Sequence, residues 1–316
     1  MPVDAAVLAA VAGLFAVVSG VNDGGALLAT GLKLPTVRPA TGVLVLVVMV
    51  AAVPLLSHQV ALTFVNRVAH FDQPGGRAAT SAAVLAALGV VAVLSAKGRP
   101  TSLTLAVVGG LTGAGLGWGL PVSAGTVAQV LAFGVAAPVV GGLLAWALFR
   151  VLLLVTTAEG LGWWHRAGFL LQTVAYAAND AQKMLALFMI AVGFQGAPPA
   201  YTSLVAALFA LGTLYGLPKA GRTLSREIIA FRPAHGVAAE LASGVAVIGC
   251  AAAGMPVSMT QAVAGGLIGA GVAQGGGGRV RWYAAIKIVS AWMLTLPASG
   301  LLGWLLALAV KGLMTW

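Results

Sequence analysis

The sequence Asn179-Asp180-Ala181-Gln182-Lys183 places an acid, two amides and an amine inside an apolar segment of membrane length. Apolar residues dominate from Leu170 to Ala178 before it, and Met184-Leu185-Ala186-Leu187-Phe188 follows directly. A charged side chain at that depth costs about 3 kcal/mol, so it usually faces a partner or a water-filled cavity. We therefore expect a functional site at this stretch.

The composition of the whole chain is that of a membrane protein. Hydrophobic residues make up 60% of the 316 residues, charged residues make up 8%, and the mean hydropathy is +1.02, which excludes a soluble globular domain. Windows without a charged residue or a histidine cover residues 39–57, 78–96, 100–149, 184–218, 241–278 and 288–310. These windows hold about ten segments of roughly 20 residues. We predict an all-α polytopic membrane protein that is surrounded by the lipid bilayer.

The net charge of +10 is high for so apolar a chain. On a soluble protein it would suggest nucleic acid, but basic cytoplasmic loops explain it in a membrane protein. We expect no nucleic acid partner and a location in the plasma membrane, of the bacterial inner-membrane type. The single cysteine is Cys250, and the histidines are His58, His70, His165 and His235. The histidines lie near loop charges with no metal-ligand spacing, so we expect no cofactor.

Three motifs occur twice at nearly the same separation. Asn22-Asp23 precedes Asn179-Asp180 by 157 residues, and Pro100-Thr101-Ser102-Leu103-Thr104 precedes Pro256-Val257-Ser258-Met259-Thr260 by 156 residues. The Gly-Leu-Leu-x-Trp sequence at 142–146 returns 158 residues later. This agreement predicts a duplication, with residues 1–158 as the first repeat and 159–316 as the second.

A repeat with an odd number of spans inserts upside down relative to its twin, as in many secondary transporters. Loop charges favour this arrangement, because residues 219–232 carry four basic residues and one acid, whereas residues 66–77 carry two arginines and one aspartate. The first loop is therefore the cytoplasmic candidate. We expect two inverted-topology repeats with broken helices around a central site, forming one transport unit.

The repeated hydroxyls suit an anion. Pro100 and Pro256 are compatible with the first turn of a half-helix, and the hydroxyls that follow them would then lie near a helix N-terminus, where anions bind. These candidate substrate ligands are Ser102, Thr104, Ser258 and Thr260. The alternative is that these side chains only cap or back-bond their helices.

The repeated acids suit a cation. Asp23 and Asp180 are acceptors, so we expect them to bind a coupling cation or carry a proton, and to act as metal ligands only if the cation is sodium. The amides of Asn22, Asn179 and Gln182 can serve either ion.

Two further charged residues have more than one interpretation. Lys183 either pairs with Asp180, reaches the anion, or extends to the membrane interface. Glu240 begins an uncharged span, and its counterpart in the first repeat is Val84. It is either an ion-coupling or gating group or a helix-start acid facing water.

Asn179-Asp180-Ala181-Gln182-Lys183 and Pro256-Val257-Ser258-Met259-Thr260 together resemble the PiT-type inorganic phosphate transporters, and the resemblance continues through residues 232–241. That family carries an Asn-Asp motif and a Pro-x-Ser-Thr-Thr-His motif in each of two inverted repeats. The resemblance implies a secondary transporter, not an enzyme, that moves inorganic phosphate with a proton or sodium. A homodimer is a candidate assembly.

The chain also departs from the family pattern. Ala26 stands where the first motif usually has a second asparagine, and Ala29 stands where it usually has a glycine. One hydroxyl and the histidine are missing from each later motif, which read Ser102-Leu103-Thr104-Leu105 and Ser258-Met259-Thr260-Gln261. Because Ala26 removes an oxygen ligand that sodium would use, we lean to proton coupling, although backbone carbonyls near Gly24 and Gly25 can complete a sodium site.

Two other functions stay open from the sequence. The same family includes sulfate permeases, which can use the same hydroxyls and backbone N–H groups for sulfate. An intramembrane aspartyl protease also needs two buried aspartates, but it gives no reason for the repeated Ser and Thr motifs.

Overall fold

The computed structural model describes residues 2–24, 27–28, 34–97, 101–157, 159–220, 228–229 and 232–314, without the side chains of 218–220. Within these ranges the chain is helical apart from turns and short extended links. The β-type pairings there are two isolated bridges, Ala69 with Val122 and Ile229 with Val280. The prediction of an all-α protein is confirmed.

The first half of the chain contains six helices among the described residues. They are α1 (Val3–Ser19), α2 (Pro39–Leu56), α3 (Gln59–Leu62), α4 (Gly76–Ala96), α5 (Leu103–Trp118) and α6 (Ala124–Val155). The described part of the second half contains six more. They are α7 (Leu161–Tyr176), α8 (Gln182–Val192), α9 (Pro199–Ala220), α10 (Pro233–Ala252), α11 (Met259–Gly275) and α12 (Trp282–Met314).

Seven helices are long and apolar enough to cross a membrane, so the chain is a multi-pass membrane protein. These spans are Val3–Gly24, Pro39–Leu56, Gly76–Ala96, Ala124–Val155, Pro199–Leu217, Pro233–Ala252 and Trp282–Met314. The sequence predicted about ten segments because it counted shorter apolar stretches as well. Two of these are α5 and α11, with 16 and 17 residues.

The helices near the two Asn-Asp pairs widen into π turns, at Gly20–Gly24 and Ala177–Ala181. Single π turns inside helices are frequent at functional sites. The second one joins α7 directly to α8, so the helix is continuous through Asn179-Asp180 and ends at Val192. Gly25, at the first expected break, lies outside the described residues.

Extended backbone instead precedes α5 and α11, where Ser102 and Ser258 are the N-cap residues. Pro256 lies two residues before its N-cap, so the expectation that it occupies the first turn is wrong. Because residues 255–258 are not helical, backbone carbonyl oxygens in this segment are available to accept hydrogen bonds from neighbouring helices. Pro100 lies outside the described residues, as do Ala26 and Ala29 and most of the basic loop at 219–232.

Close helix crossings connect the two halves of the chain. Helix α5 packs on α12, and α6 packs on α11. A Cβ atom at Gly113 would lie 1.8 Å from the carbonyl oxygen of Gly300, and one at Gly269 would lie 1.9 Å from that of Gly142. Only glycine permits backbones to approach this closely, which is a common packing device in membranes. The two halves therefore form one packed body.

Candidate functional site

The two π turns carry both repeated aspartates into the interior, where Asp23 is 7% exposed and Asp180 is 6% exposed. One oxygen of Asp23 accepts a hydrogen bond of 2.9 Å from the Asn22 amide. The two carboxylates lie within electrostatic range of each other and of Lys183. Two carboxylates placed together in an apolar surrounding stay charged only with a cation nearby; otherwise one of them binds a proton.

Lys183 supplies that charge. Its ammonium donates to Asp180 Oδ1 at 2.7 Å, to Thr104 Oγ1 at 2.6 Å and to the carbonyl oxygen of Val257. An ammonium group has three donors, and all three are used here. The side chain is buried, so the interpretation that it extends to the membrane interface is wrong. Lys183 thus links the second π turn to the starts of α5 and α11.

The repeated hydroxyls meet in the same region. Thr104 Oγ1 donates to the carbonyl oxygen of Val257 at 3.0 Å, which brings the first turn of α5 against the segment before α11. Ser258 Oγ lies 2.9 Å from Thr260 Oγ1. Ser102 caps α5 by accepting a bond of 3.3 Å from the N–H of Leu105. Two helix N-termini and their hydroxyls therefore converge, and such termini favour an anion.

The amide of Asn179 fixes the segment before α11. Its nitrogen donates to the carbonyl oxygen of Met255 at 3.1 Å, and its oxygen accepts from the N–H of Val257 at 3.1 Å. One amide hydrogen remains for another acceptor. Asn179 therefore positions the start of α11 and still has a donor to offer.

The Gln182 side chain, in contrast, has no unused hydrogen-bond donor or acceptor. Its oxygen accepts from the N–H groups of Val60 and Ala61, at 2.8 and 3.2 Å. Its nitrogen donates to the carbonyl oxygens of Ser57 and Ala178, at 2.8 and 2.6 Å. These four bonds use the full capacity of an amide. Gln182, a predicted substrate ligand, here joins α8 to the α2–α3 connection.

Two buried polar atoms beside the aspartate pair have no hydrogen-bond partner among the described residues: Asp180 Oδ2 and the Tyr176 hydroxyl. Tyr176 packs against Phe209, with 5.3 Å between ring centroids, and lies within electrostatic range of both aspartates. Buried polar atoms rarely remain unpaired in native proteins, so these two call for a partner that the described residues do not supply. The sequence analysis missed Tyr176, although it lies one helical turn before Asp180.

Glu240 lies elsewhere in the bundle. Its carboxylate is buried and faces His165, with 3.6 Å between Glu240 Oε1 and His165 Nε2. The interpretation of Glu240 as a water-facing acid at a helix start is wrong. Among the contacts of the described residues, none joins Glu240 to Asp23 or Asp180.

All four histidines were expected near loop charges, but two of them are buried within the helix bundle. His165 faces Glu240, and His235 is buried against Phe149, with 4.9 Å between ring centroids. The apolar helices α7 and α10 carry both of them inward. Across the described ranges, no three histidine, cysteine, aspartate or glutamate side chains form a group that could hold a metal ion.

The chain is similar to several known proteins. Residues 167–303 match the phosphate transporter family. A probable low-affinity inorganic phosphate transporter of Mycobacterium bovis is 32% identical over 225 residues, which cover 65% of this chain and 54% of that protein. A protein of Bacillus subtilis with the same description is 24% identical over 311 residues, or 92% of both chains.

A solved structure, described as the sodium-dependent phosphate transporter, has a TM-score of 0.82 to this chain at 18% identity. The match covers 98% of this chain and 99% of that one, and it establishes the fold. The chain matches about half the length of the mycobacterial relatives.

The Lys183–Asp180 pair gives a stability prediction that does not depend on transport. Lys183→Met leaves the Asp180 carboxylate buried without its partner, which costs about 3–5 kcal/mol. The double variant Asp180→Asn/Lys183→Met removes both charges and should recover much of the lost thermal stability of the purified protein in detergent. Lys287→Met, at an exposed position on α12, is the control and should change little. Equal destabilisation in the single and double variants would contradict this account of the pair.

Proposed function

We propose that this chain belongs to the phosphate transporter family, whose model matches residues 167–303, and that it carries inorganic phosphate across the membrane together with a coupling cation. The observation that carries the proposal is the meeting of Asp180, Lys183 and Thr104 at the starts of α5 and α11. This region combines acids for a cation with helix N-termini and hydroxyls for an anion. Both ions of a symporter therefore have ligands close together.

We further propose that residues 1–158 and 159–316 are inverted-topology repeats of one transport unit. Support comes from features that recur 156 to 160 residues apart, close to the predicted separation. They are the two π turns, the N-cap serines of α5 and α11, the glycine crossings and the two isolated bridges. The proposed boundary lies between α6, which ends at Val155, and α7, which begins at Leu161.

Phosphate is proposed to bind between the first turns of α5 and α11. There the hydroxyls of Thr104 and Ser258 can donate to its oxygens, with Ser102 and Thr260 beside them. Thr104 and Lys183 currently bond to protein oxygens, so phosphate would replace those acceptors with its own. The free amide hydrogen of Asn179 and the amide of Asn22 are further candidate donors. Gln182 would take part only after releasing backbone groups.

Charge balance explains why a cation would travel with the anion. The formal charges of Asp23, Asp180 and Lys183 leave the cluster with one negative charge, so phosphate alone would be repelled. A cation bound by the aspartates removes that repulsion, and each ion then favours binding of the other. The unpartnered oxygen of Asp180 is the candidate first ligand for the cation.

Two observations bear on the identity of the cation, and they favour different ions. Ala26 removes an oxygen that sodium would use, which favours a proton. The structural relative is described as sodium-dependent, which favours sodium in a protein of the same fold. A proton needs only one carboxylate, whereas sodium needs several oxygens. We therefore retain both cations in the proposal, and the experiment below separates them.

The alternative substrates fit less well. A sulfate permease would use the same hydroxyls, and competition between labelled phosphate and sulfate distinguishes it. An aspartyl protease needs two carboxylates that share a proton, whereas Asp180 is paired with Lys183. The relatives named above are transporters, which argues against an enzyme. A plasma-membrane location and a homodimer remain predictions.

Transport itself is tested with purified protein in liposomes, using labelled phosphate and either a sodium gradient or a proton gradient. We expect uptake with at least one gradient, and Asp23→Asn and Asp180→Asn should abolish it because the cation loses its charged ligand. Asp72→Asn, at an exposed loop position, is the matched control. Gradient-driven uptake by either buried variant at the wild-type rate would contradict the coupling role of that aspartate.

The hydroxyls are tested against the capping interpretation. Loss of a hydrogen bond to a charged group costs about 1.5–3 kcal/mol, or roughly 10- to 150-fold in affinity. Ser258→Ala and Thr104→Val should therefore raise the half-saturating phosphate concentration by that amount. Ser123→Ala removes the side-chain N-cap bond of α6, away from the site, and serves as the control for capping. Similar small effects in all three variants would mean that the hydroxyls only cap or brace their helices.

A further inference from the structure

A second cluster of buried polar side chains lies between α7 and α10. Its members are His165 and Gln172 on α7 and Glu240 and Ser243 on α10. Each is no more than 1% exposed. The function proposed above uses none of these contacts, although it depends on the position of α7, which leads into the π turn that carries Asp180.

The contacts inside this cluster are incomplete. His165 Nε2 lies 3.6 Å from Glu240 Oε1, and the Thr36 hydroxyl hydrogen-bonds to the other ring nitrogen of His165. Gln172 donates to the Ser243 hydroxyl at 3.4 Å. Four buried atoms of this cluster have no hydrogen-bond partner among the described residues: His165 Nε2, Gln172 Oε1 and both carboxylate oxygens of Glu240. Such a concentration of unpaired buried atoms needs an explanation.

The corresponding positions of the first half are apolar. Counting back by 157 residues from α7 gives Leu8 and Phe15, and counting back by 156 from α10 gives Val84 and Ala87. All four are buried in the core. Apolar residues therefore fill this type of helix contact adequately. A buried charged pair is often no more stabilising than an apolar one, so packing alone does not account for His165 and Glu240.

Gly168 creates the space that Glu240 occupies. A Cβ atom at this position would lie 3.2 Å from the Cβ of Glu240 and 3.3 Å from its Oε2. A larger side chain on α7 would therefore press on the carboxylate. The absence of a side chain here leaves the carboxylate beside His165.

We propose that His165 and Glu240 form a proton-binding site that makes transport depend on pH. One proton on the pair makes it neutral, whereas losing that proton or gaining a second leaves a net charge between α7 and α10. An uncompensated charge in the interior is costly, so each change favours a different packing of the two helices. Helix α7 transmits that change to Asp180. This inference rests on the proposed function for its effect on transport, but proton binding can be measured without it.

Among the described residues that contact His165 or Glu240, no other side chain is charged. His165 also contacts the side chains of Thr36 and Phe169, and neither of these titrates near neutral pH. On the elements packed around α10, His235 stacks on Phe149, Arg150 of α6 lies at the surface over Trp146, and Asp180 pairs with Lys183. Asp180 follows His165 by fifteen residues, about 22 Å along a helix.

Proton binding is tested directly by recording the imidazole nitrogen resonances of the purified protein, labelled at histidine and held in nanodiscs, from pH 5 to pH 9. The His165 signal is assigned by its loss in His165→Leu. We expect this signal to titrate and its midpoint to move in Glu240→Gln. A His165 signal that does not titrate, or one whose midpoint is the same in Glu240→Gln, would overturn the proposal.

The effect on transport is tested with the double variant His165→Leu/Glu240→Val, which places the apolar pair of the first half at this contact. The ratio of phosphate uptake rates at pH 6 and pH 8 should differ from wild type by at least about threefold, because histidine changes its charge in this range. His70→Gln alters an exposed histidine beside Asp72 and is the control. Phosphate ionisation is the same for all variants, so it cancels in the comparison.

The possible outcomes separate the two proposals. A double variant that transports with the wild-type pH profile would overturn the pH role of the pair. Absence of uptake by wild type would contradict the proposed function, while the nuclear magnetic resonance titration would still test proton binding. If the double variant does not fold, Glu240→Gln takes its place in the uptake comparison, with the same criterion.

Discussion

The ammonium of Lys183 is the contact on which the rest of the central site depends. Two carboxylates in an apolar bundle cannot both stay charged without a nearby cation, and Lys183 provides it while bonding to Thr104 and to the carbonyl oxygen of Val257. The same group therefore balances charge and joins three parts of the chain: the second π turn and the starts of α5 and α11. Asn179 and Gln182 brace this junction through backbone groups.

Charge balance also links the proposed function to the proposed proton site. At the central site, the net charge of −1 attracts a cation. An anion is no longer repelled once that cation is bound. Between α7 and α10, the proposed proton site of His165 and Glu240 changes its net charge with pH. Helix α7 connects the two, because it starts near His165 and ends at the π turn with Asp180. Ion binding in one place can then bias the helix packing felt in the other.

The sequence predicted the parts of the structure that depend on composition and local pattern. Hydropathy was sufficient for the all-α membrane fold, and the Asn-Asp-Ala-Gln-Lys motif led to the family whose model matches residues 167–303. The details that depend on distant partners were missed. The π turn at Asp180 was not predicted, and Pro256 lies before its helix, not in its first turn. The packing of α7 on α10 buries His165 with Glu240, which no local spacing could indicate.

The most direct test of the central site is a crystal structure with arsenate, an analogue of phosphate whose arsenic atom can be located by anomalous scattering. We expect one strong peak between the first turns of α5 and α11, within hydrogen-bond distance of the Thr104 and Ser258 hydroxyls. A peak elsewhere in the bundle, with none between these two helix starts, would contradict it.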